Sequence, residues 1–168
     1  MIVLRAPMST DVRAMAEAWY RAERRSLDEG YPGGYPREWF WMDSVEQAEE
    51  QWTRGFLDAQ PSVHTWVAER SGIAVGFAQA GPSEVDDSLG ALRSLYVEPD
   101  AWGAGVGSTL HDAAVAALAE SFARAELWVI EGNNRTRAFY GSRGWKDAGE
   151  FMHAPNGLPL ARYHRLLP

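Results

Sequence analysis

Residues 95–108 of the chain are LYVEPDAWGAGVGS, an apolar run followed by alternating glycines. The run before Pro99 is typical of a strand, and Val106 begins a segment with helical periodicity. Glycines between a strand and a helix let backbone N–H groups approach a ligand closely, and the helix N-terminus adds partial positive charge. The segment therefore predicts a phosphate-binding turn. The alternative is a tight turn that binds no ligand.

Two familiar phosphate-binding motifs do not match this turn. The dinucleotide fingerprint needs a glycine where Ser108 stands, and it normally lies in the first βαβ unit. A Walker loop needs a lysine before its serine or threonine, and Lys146 is the only lysine in the chain. We therefore expect backbone amides to hold the phosphate.

The segments around this turn predict a mixed α/β (α+β) domain. Helical spacing extends from about residue 9 to Leu27, and Ser44 with Gln47 forms a capping-box pattern that opens a second helix. Proline and glycine separate these helices as a loop over residues 30–36. With the β-rich runs, the predicted order is β-α-α-β-β-β-α-β-α-β-β. We expect one domain over residues 1–168, in which the strand before the glycines covers residues 91–97.

Composition excludes several function classes. The chain has 168 residues and no cysteine, so disulfides, Cys-zinc sites and a cysteine nucleophile are excluded. A net charge of -7 argues against a nucleic-acid partner. The four histidines lack ligand spacing, which predicts no metal site, and no Gly-x-Ser-x-Gly elbow is present. We find no signal peptide or membrane span, so we expect a cytoplasmic protein without a membrane partner.

Two segments resemble the GNAT superfamily of acyl-CoA-dependent N-acetyltransferases. Residues 95–107 resemble its motif Gln/Arg-x-x-Gly-x-Gly/Ala, except that Trp102 replaces the Gln or Arg. Residues 134–145, NRTRAFYGSRGW, resemble its Asn- and Tyr-containing helix followed by Gly-Phe, with Trp145 in the Phe place. The element order also fits, so the resemblance covers most of the chain. It implies a mostly antiparallel central sheet flanked by helices and splayed at the acyl-CoA site.

The resemblance also implies a set of residues that bind acetyl-CoA. The pantetheine arm would lie along residues 95–97 like an added strand, and the N–H near Val97 would stabilise the oxyanion of the thioester carbonyl. Trp102 would pack on CoA or on the fold. The implied cofactor-binding residues are Leu95, Tyr96, Val97, Trp102, Gly103, Ala104, Gly105, Val106, Gly107, Ser108, Asn134 and Tyr140.

Tyr140 and Asn134 each have a functional and a structural interpretation. The resemblance implies that Tyr140 is the general acid, because a phenol with a pKa near ~10 is protonated at neutral pH and can donate to the departing thiolate. The alternative is that Tyr140 only packs. Asn134 would hydrogen-bond the pantetheine, and it is also a candidate N-cap of its helix. The predicted catalytic residues are therefore Tyr140 and Val97.

The sequence leaves the general base open. The predicted strand carries no acid before Glu98, so the position that the family often uses is empty. Several other residues stay open as candidates, although a solvated surface position or an ordinary helical contact explains each of them as well. They are Glu84, Asp86, Asp87, Glu131 and His111.

The acceptor site is predicted in the aromatic loop between the first two helices. Tyr31, Tyr35, Trp39 and Trp41 could form a pocket for an apolar group or for an ammonium through cation–π contact. The alternative is a hydrophobic cluster beneath a long loop. Net negative charge mildly favours a cationic acceptor.

The resemblance, carried by the glycine turn, the helix with Tyr140 and the element order, implies an N-acetyltransferase. It would move an acetyl group from acetyl-CoA to a primary amine of a small molecule or peptide by direct attack in a ternary complex. A homodimer is a further expectation from the family. The alternative function is a non-catalytic acyl-CoA-binding or sensing module, which Trp102 and the missing strand carboxylate suggest.

Overall fold

The computed structural model describes residues 1–40, 42, 44–57 and 60–168. Within these residues seven strands form one sheet. The strands are β1 (Ile2–Arg5), β2 (His64–Arg70), β3 (Ile73–Pro82), β4 (Gly90–Val97), β5 (Arg124–Ile130), β6 (Lys146–His153) and β7 (Pro159–Leu166). The helices are α1 (Val12–Gly30), α2 (Val45–Leu57), α3 (Val106–Ala119) and α4 (Asn134–Gly141). Short 3-10 turns lie at Ser9–Asp11, Arg37–Trp39 and Pro99–Ala101.

The sheet has the order β1-β2-β3-β4-β5-β7-β6 and is mostly antiparallel. Successive residues of a strand point to opposite faces, and the core follows this rule. Val67 and Phe77 pack in a cluster with residues of α1, whereas their neighbours Ala68 and Ala78 pack in a cluster with α3. The helices therefore flank the sheet on both sides, as the sequence predicts.

Helices α1 and α2 cover one face of the sheet because each has an apolar side. In α1 the buried residues include Met15, Ala16 and Trp19, which recur at helical spacing. The predicted cap of α2 is confirmed, since the Gln47 N–H donates to Ser44 Oγ at 3.3 Å. Among the described residues no helix has both the length and the hydropathy that a membrane crossing requires.

The sheet splits between β4 and β5, its parallel pair. Only Gly90 with Ala125 and Ala91 with Glu126 are paired, and the two strands then separate toward their carboxyl ends. This splay is the predicted one, and it leaves the inner edge of β4 without a partner strand. Helix α3 begins beyond the end of β4, and α4 begins beyond the end of β5. Both helix N-termini therefore lie at the opening of the split.

Candidate active site

A cavity of about 700 Å³ fills the split between β4 and β5. It is lined by the end of β4, the glycine turn, β5 and α4, and by α1 from the other face of the sheet. The lining residues include Ala22, Glu23, Ser26, Arg93, Leu95, Tyr96, Val97, Trp102, Gly103, Gly105, Gly107, Ser108, Trp128, Asn133, Arg135, Tyr140 and Arg143. The cavity therefore contacts both faces of the sheet.

The glycine turn lines this cavity through Gly103, Gly105, Gly107 and Ser108. Gly103 and Gly105 have φ of +78° and +85°, a left-handed conformation that a residue with a Cβ adopts at a cost. Gly105 is the N-cap residue of α3. The N–H groups of the first helical turn have no intrahelical acceptor, and the helix dipole makes them attractive to an anion. The turn can therefore hold a phosphate group without a lysine.

The inner edge of β4 also faces the cavity. The Glu98 N–H donates to the Val75 carbonyl at 2.8 Å across the ladder with β3. Because hydrogen bonds of an antiparallel ladder alternate along the strand, the N–H groups of Val97 and Leu95 point away from β3 and into the split. The Val97 N–H can thus donate to an oxygen atom of a ligand lying beside β4.

Trp102 fixes the glycine turn in place. Its Nε1–H donates to the Val97 carbonyl at 2.7 Å, and its ring lies 4.5 Å from the Arg135 guanidinium carbon. The Arg25 guanidinium carbon is 5.9 Å from the same ring, and Glu29 forms ion pairs with both arginines. The tryptophan packs on the fold, and it places the cationic Arg135 on the cavity wall.

Arg143 adds positive charge beside the start of α3. Its guanidinium donates to Ser108 Oγ and lies 3.9 Å from the centre of the Phe139 ring. No role was predicted from the sequence for Arg143 or Arg135. Both flank the Tyr140 motif, but only the fold shows that they line the same cavity as the glycine turn.

Tyr140 lies in the wall of the cavity on the α3 side. Its ring is buried and contacts Phe139 and Trp145 edge-on, with centroids 5.3 and 6.1 Å apart. Burial raises the pKa of the Tyr140 phenol above its ordinary value, so the phenol is protonated at neutral pH. Among the described residues no group forms a hydrogen bond with its hydroxyl. The hydroxyl can therefore donate to a ligand atom.

The cap of α4 is Asn133 and not Asn134. Asn133 Oδ1 accepts from the Thr136 N–H at 3.1 Å, so the capping interpretation of Asn134 is wrong by one residue. Asn133 is buried and lines the cavity, whereas Asn134 is exposed and lies outside the lining. Asparagine is a favourable N-cap residue at either position, so the residue type alone does not show which of the two caps the helix.

The aromatic residues predicted for the acceptor do not line this cavity. The Tyr31 hydroxyl accepts from the Gly132 N–H at 3.1 Å, and its ring packs against Trp39 at 4.9 Å. Tyr35 donates to Asp28 at 3.0 Å and lines a second cavity of about 540 Å³, with Tyr20 and Phe40. Trp41 lies outside the described residues.

The open candidates for the base also lie outside the main cavity. His111 is buried, accepts a hydrogen bond from Trp145 Nε1 at 2.9 Å and contacts Asp112 at 2.8 Å. Burial lowers the pKa of His111, so its neutral ring serves to hold Trp145. None of the carboxylates Glu84, Asp86, Asp87 and Glu131 lines the cavity. Within the residues that the structure describes, no three acidic or histidine side chains group as metal ligands.

Glu23 of α1 is the carboxylate that does line the cavity. Desolvation raises the pKa of the Glu23 carboxyl to about 7, and an interaction with the Tyr96 side chain partly offsets this rise. No role was predicted for Glu23 from the sequence, although it follows the helical spacing of the buried residues Met15, Ala16 and Trp19. The sequence signal that could have identified Glu23 is an acidic residue on the apolar side of an amphipathic helix.

Comparisons with known proteins identify relatives of this fold. Residues 16–145 match the family model described as Acetyltransferase (GNAT) family. The PaiA N-acetyltransferase from Thermoplasma acidophilum, solved with coenzyme A, is 17% identical over 99% of both chains, with a TM-score of 0.71. The ribosomal-protein-alanine N-acetyltransferase from Brucella melitensis is 20% identical over 98% of this chain and 99% of that one, with a TM-score of 0.68. The ribosomal-protein-S18-alanine N-acetyltransferase from Escherichia coli is 18% identical over 99% of this chain and 94% of that one, with a TM-score of 0.66. No curated protein matches the sequence.

Proposed function

The chain belongs to the GNAT acetyltransferase family, and on that premise we propose that it moves an acetyl group from acetyl-CoA to a primary amine of a small molecule or peptide by direct attack in a ternary complex. Acetyl-CoA-dependent acetylation is the activity of this family. The observation that carries the finer proposal is the split between β4 and β5, because it joins the glycine turn, the inner edge of β4 and Tyr140 in one cavity.

Backbone groups of the chain bind the donor in this proposal. The amides of the lining residues Gly103, Gly105, Gly107 and Ser108 hold the pyrophosphate, and Arg143 and Arg135 add charge-assisted contacts at the same wall. The pantetheine lies beside Leu95 and Val97 as an added strand, with Asn133 as a polar partner at the start of α4. The protein thus recognises acetyl-CoA mainly through main-chain geometry.

The Val97 N–H then acts on the reacting carbonyl. When an amine attacks the thioester, negative charge grows on the carbonyl oxygen, and a fixed N–H donor at that oxygen stabilises the charge. Such a donor contributes roughly a hundredfold or more to the rate in enzymes where one has been removed. The hydrogen bond from Trp102 to the Val97 carbonyl engages the next peptide group along the chain and so restrains Val97.

Tyr140 acts on the departing sulfur. A thiol has a pKa of about 8.5, whereas burial raises the pKa of the Tyr140 phenol above its ordinary value. Full proton transfer from such a phenol to a thiolate is unfavourable. Tyr140 therefore stabilises the thiolate by a donated hydrogen bond while the carbon–sulfur bond breaks, and the final proton comes from solvent.

A thiol-release assay tests the proposed function. Acetyl-CoA is incubated with the enzyme and a panel of polyamines, amino acids, aminoglycosides and peptides with free N-termini. Alanine-ended peptides are included because two proteins of this fold are named for ribosomal-protein alanine. We expect amine-dependent thiol release and an acetylated amine detected by mass spectrometry. Tight CoA binding without thiol release across the panel would support the sensing alternative instead.

A further inference from the structure

Glu23 is the one acidic side chain among the described residues that line the cavity. Its neighbours on the same wall of α1 are Ala22 and Ser26, whose side chains are small. The charged groups elsewhere in the lining are the arginines Arg93, Arg135 and Arg143. A lone carboxylate in a partly apolar wall requires an explanation, because desolvating it costs free energy.

Ion pairing does not explain Glu23. Two nearby arginines of α1 pair elsewhere, Arg21 with Glu98 at 3.0 Å and Arg25 with Glu29 at 2.7 Å, and the guanidinium carbon of Arg24 lies 5.9 Å from the centre of the Phe40 ring. In the described part of the chain no basic side chain lies within ion-pair distance of Glu23. The hydroxyl of Tyr96, a residue of β4 that lines the same cavity, lowers the pKa of Glu23. The carboxylate is therefore available to the cavity.

Glu23 and Tyr140 approach the cavity from opposite faces of the sheet. The Tyr96 ring packs on Phe77, 5.6 Å between centroids, in the cluster that contains α1 residues. Tyr140 packs in the other cluster, with Ala114 of α3. A thioester lying in the split would have its sulfur on the Tyr140 side and its carbonyl carbon open to an amine from the Glu23 side.

We propose that Glu23 is the general base of the acetyl transfer and that Tyr96 is the positioning residue that orients its carboxylate. The inference rests on the proposed function. The amine nitrogen forms a bond to the thioester carbon, and the carbon–sulfur bond breaks. The proton lost by the nitrogen goes to the Glu23 carboxylate and from there to solvent, while the sulfur leaves as a thiolate beside Tyr140.

The protonation state of Glu23 fits this role. A base works best when its pKa lies near the working pH, and desolvation raises the pKa of Glu23 to about 7. Above that pH the carboxylate is ionised and accepts a proton, whereas below it the activity falls. The titratable and charged groups that share the cavity with it are Tyr96, Arg93, Arg135, Tyr140 and Arg143.

Glu23→Gln tests the assignment because glutamine keeps the shape and removes the base. With an acceptor from the panel, we expect kcat/KM at pH 7 to fall about a hundredfold or more, the usual scale of general-base catalysis. The rise of kcat/KM with pH near 7 should also disappear, while the CoA affinity from calorimetry stays within about threefold, roughly 0.7 kcal/mol. Glu17→Gln is the matched control, since Glu17 lies on the same helix and pairs with Arg13 outside the cavity.

Tyr96→Phe is a second test of the assignment, and its result does not depend on whether Glu23→Gln folds. The hydroxyl lowers the pKa of Glu23, so its removal should move the rising limb of kcat/KM to higher pH. An unchanged rate and pH profile in Glu23→Gln would overturn the assignment and leave the proposed function standing. A loss of CoA affinity equal to the loss of rate would also overturn it. Absence of thiol release by the wild-type enzyme would overturn both proposals.

Discussion

The cavity has two walls that are built in different ways. We call donor wall the lining residues that fall within 102–108 and 133–143, and acceptor wall the lining residues Ala22, Glu23, Ser26 and Tyr96. On the donor wall the groups offered to a ligand are mainly backbone amides at a helix start, held by left-handed glycines. On the acceptor wall they are side chains, with the Glu23 carboxylate at the centre.

This difference predicts how each wall responds to substitution. In the proposed mechanism the donor wall recognises parts of acetyl-CoA that are the same for every acceptor, so variants of its glycine turn should change CoA affinity with all amines. In the same mechanism the acceptor wall contacts the attacking amine, so its variants should change turnover while CoA still binds. Three substitutions on the donor wall test that side of the comparison, and Glu23→Gln tests the other.

The largest effect is expected for Gly105→Glu. A side chain at φ of +85° is strained by about 1–2 kcal/mol, and a carboxylate at the turn repels phosphate. CoA affinity measured by calorimetry should fall about a hundredfold, or nearly 3 kcal/mol. Gly33→Glu is the control, because Gly33 lies in the aromatic loop and a Cβ there would meet no described atom within 4 Å. Thermal stabilisation of Gly105→Glu by CoA equal to that of the wild type would refute the phosphate-binding turn.

Tyr140→Phe is expected to have the next largest effect. The ring and its packing stay, but the hydrogen bond to the leaving sulfur is lost, so kcat should fall about tenfold or more. CoA affinity should change little, which would separate binding from chemistry within the donor wall. Tyr35→Phe is the matched control, because Tyr35 lies at the second cavity. Normal turnover of Tyr140→Phe at all pH values would remove Tyr140 from the mechanism.

Trp102→Phe is expected to have the smallest effect. Phenylalanine keeps an aromatic ring for the arginines but cannot donate to the Val97 carbonyl, which Trp102 does at 2.7 Å. Loss of one such hydrogen bond costs about 1 kcal/mol, so the KM for acetyl-CoA should rise about fivefold. The control is Trp66→Phe, which shortens a half-buried tryptophan outside the cavity lining. An unchanged KM in Trp102→Phe would show that the turn holds its shape without this bond.

Much of the fold and the donor wall could be predicted from the sequence because short-range geometry determines them. The alternating glycines before Val106 specify a left-handed turn and a helix start. Tyr140 lies in α4 and Trp145 lies shortly after its end. Because the two residues are close in sequence, both side chains reach the same core cluster. The prediction of a splayed, mostly antiparallel sheet was also confirmed, but it came from the resemblance to the family, because local strand patterns do not show how strands pair.

The acceptor wall could not be predicted because distant segments form it. Glu23 and Tyr96 meet only when α1 packs across β4, and one sequence does not show which helix positions face a split in a sheet. The aromatic residues Tyr31 and Trp39 have the composition of a binding pocket, but they pack on each other at 4.9 Å. Composition alone does not distinguish a pocket from a small hydrophobic cluster.

A crystal structure of the enzyme with CoA tests the central claim most directly. We predict that the pantetheine lies between β4 and β5, with the pyrophosphate on the amides of residues 103–108. The sulfur should lie within hydrogen-bonding distance of the Tyr140 hydroxyl, with Glu23 facing the acyl position from the other side. CoA bound in the second cavity, or a pantetheine outside the split with its sulfur away from Tyr140, would contradict the account.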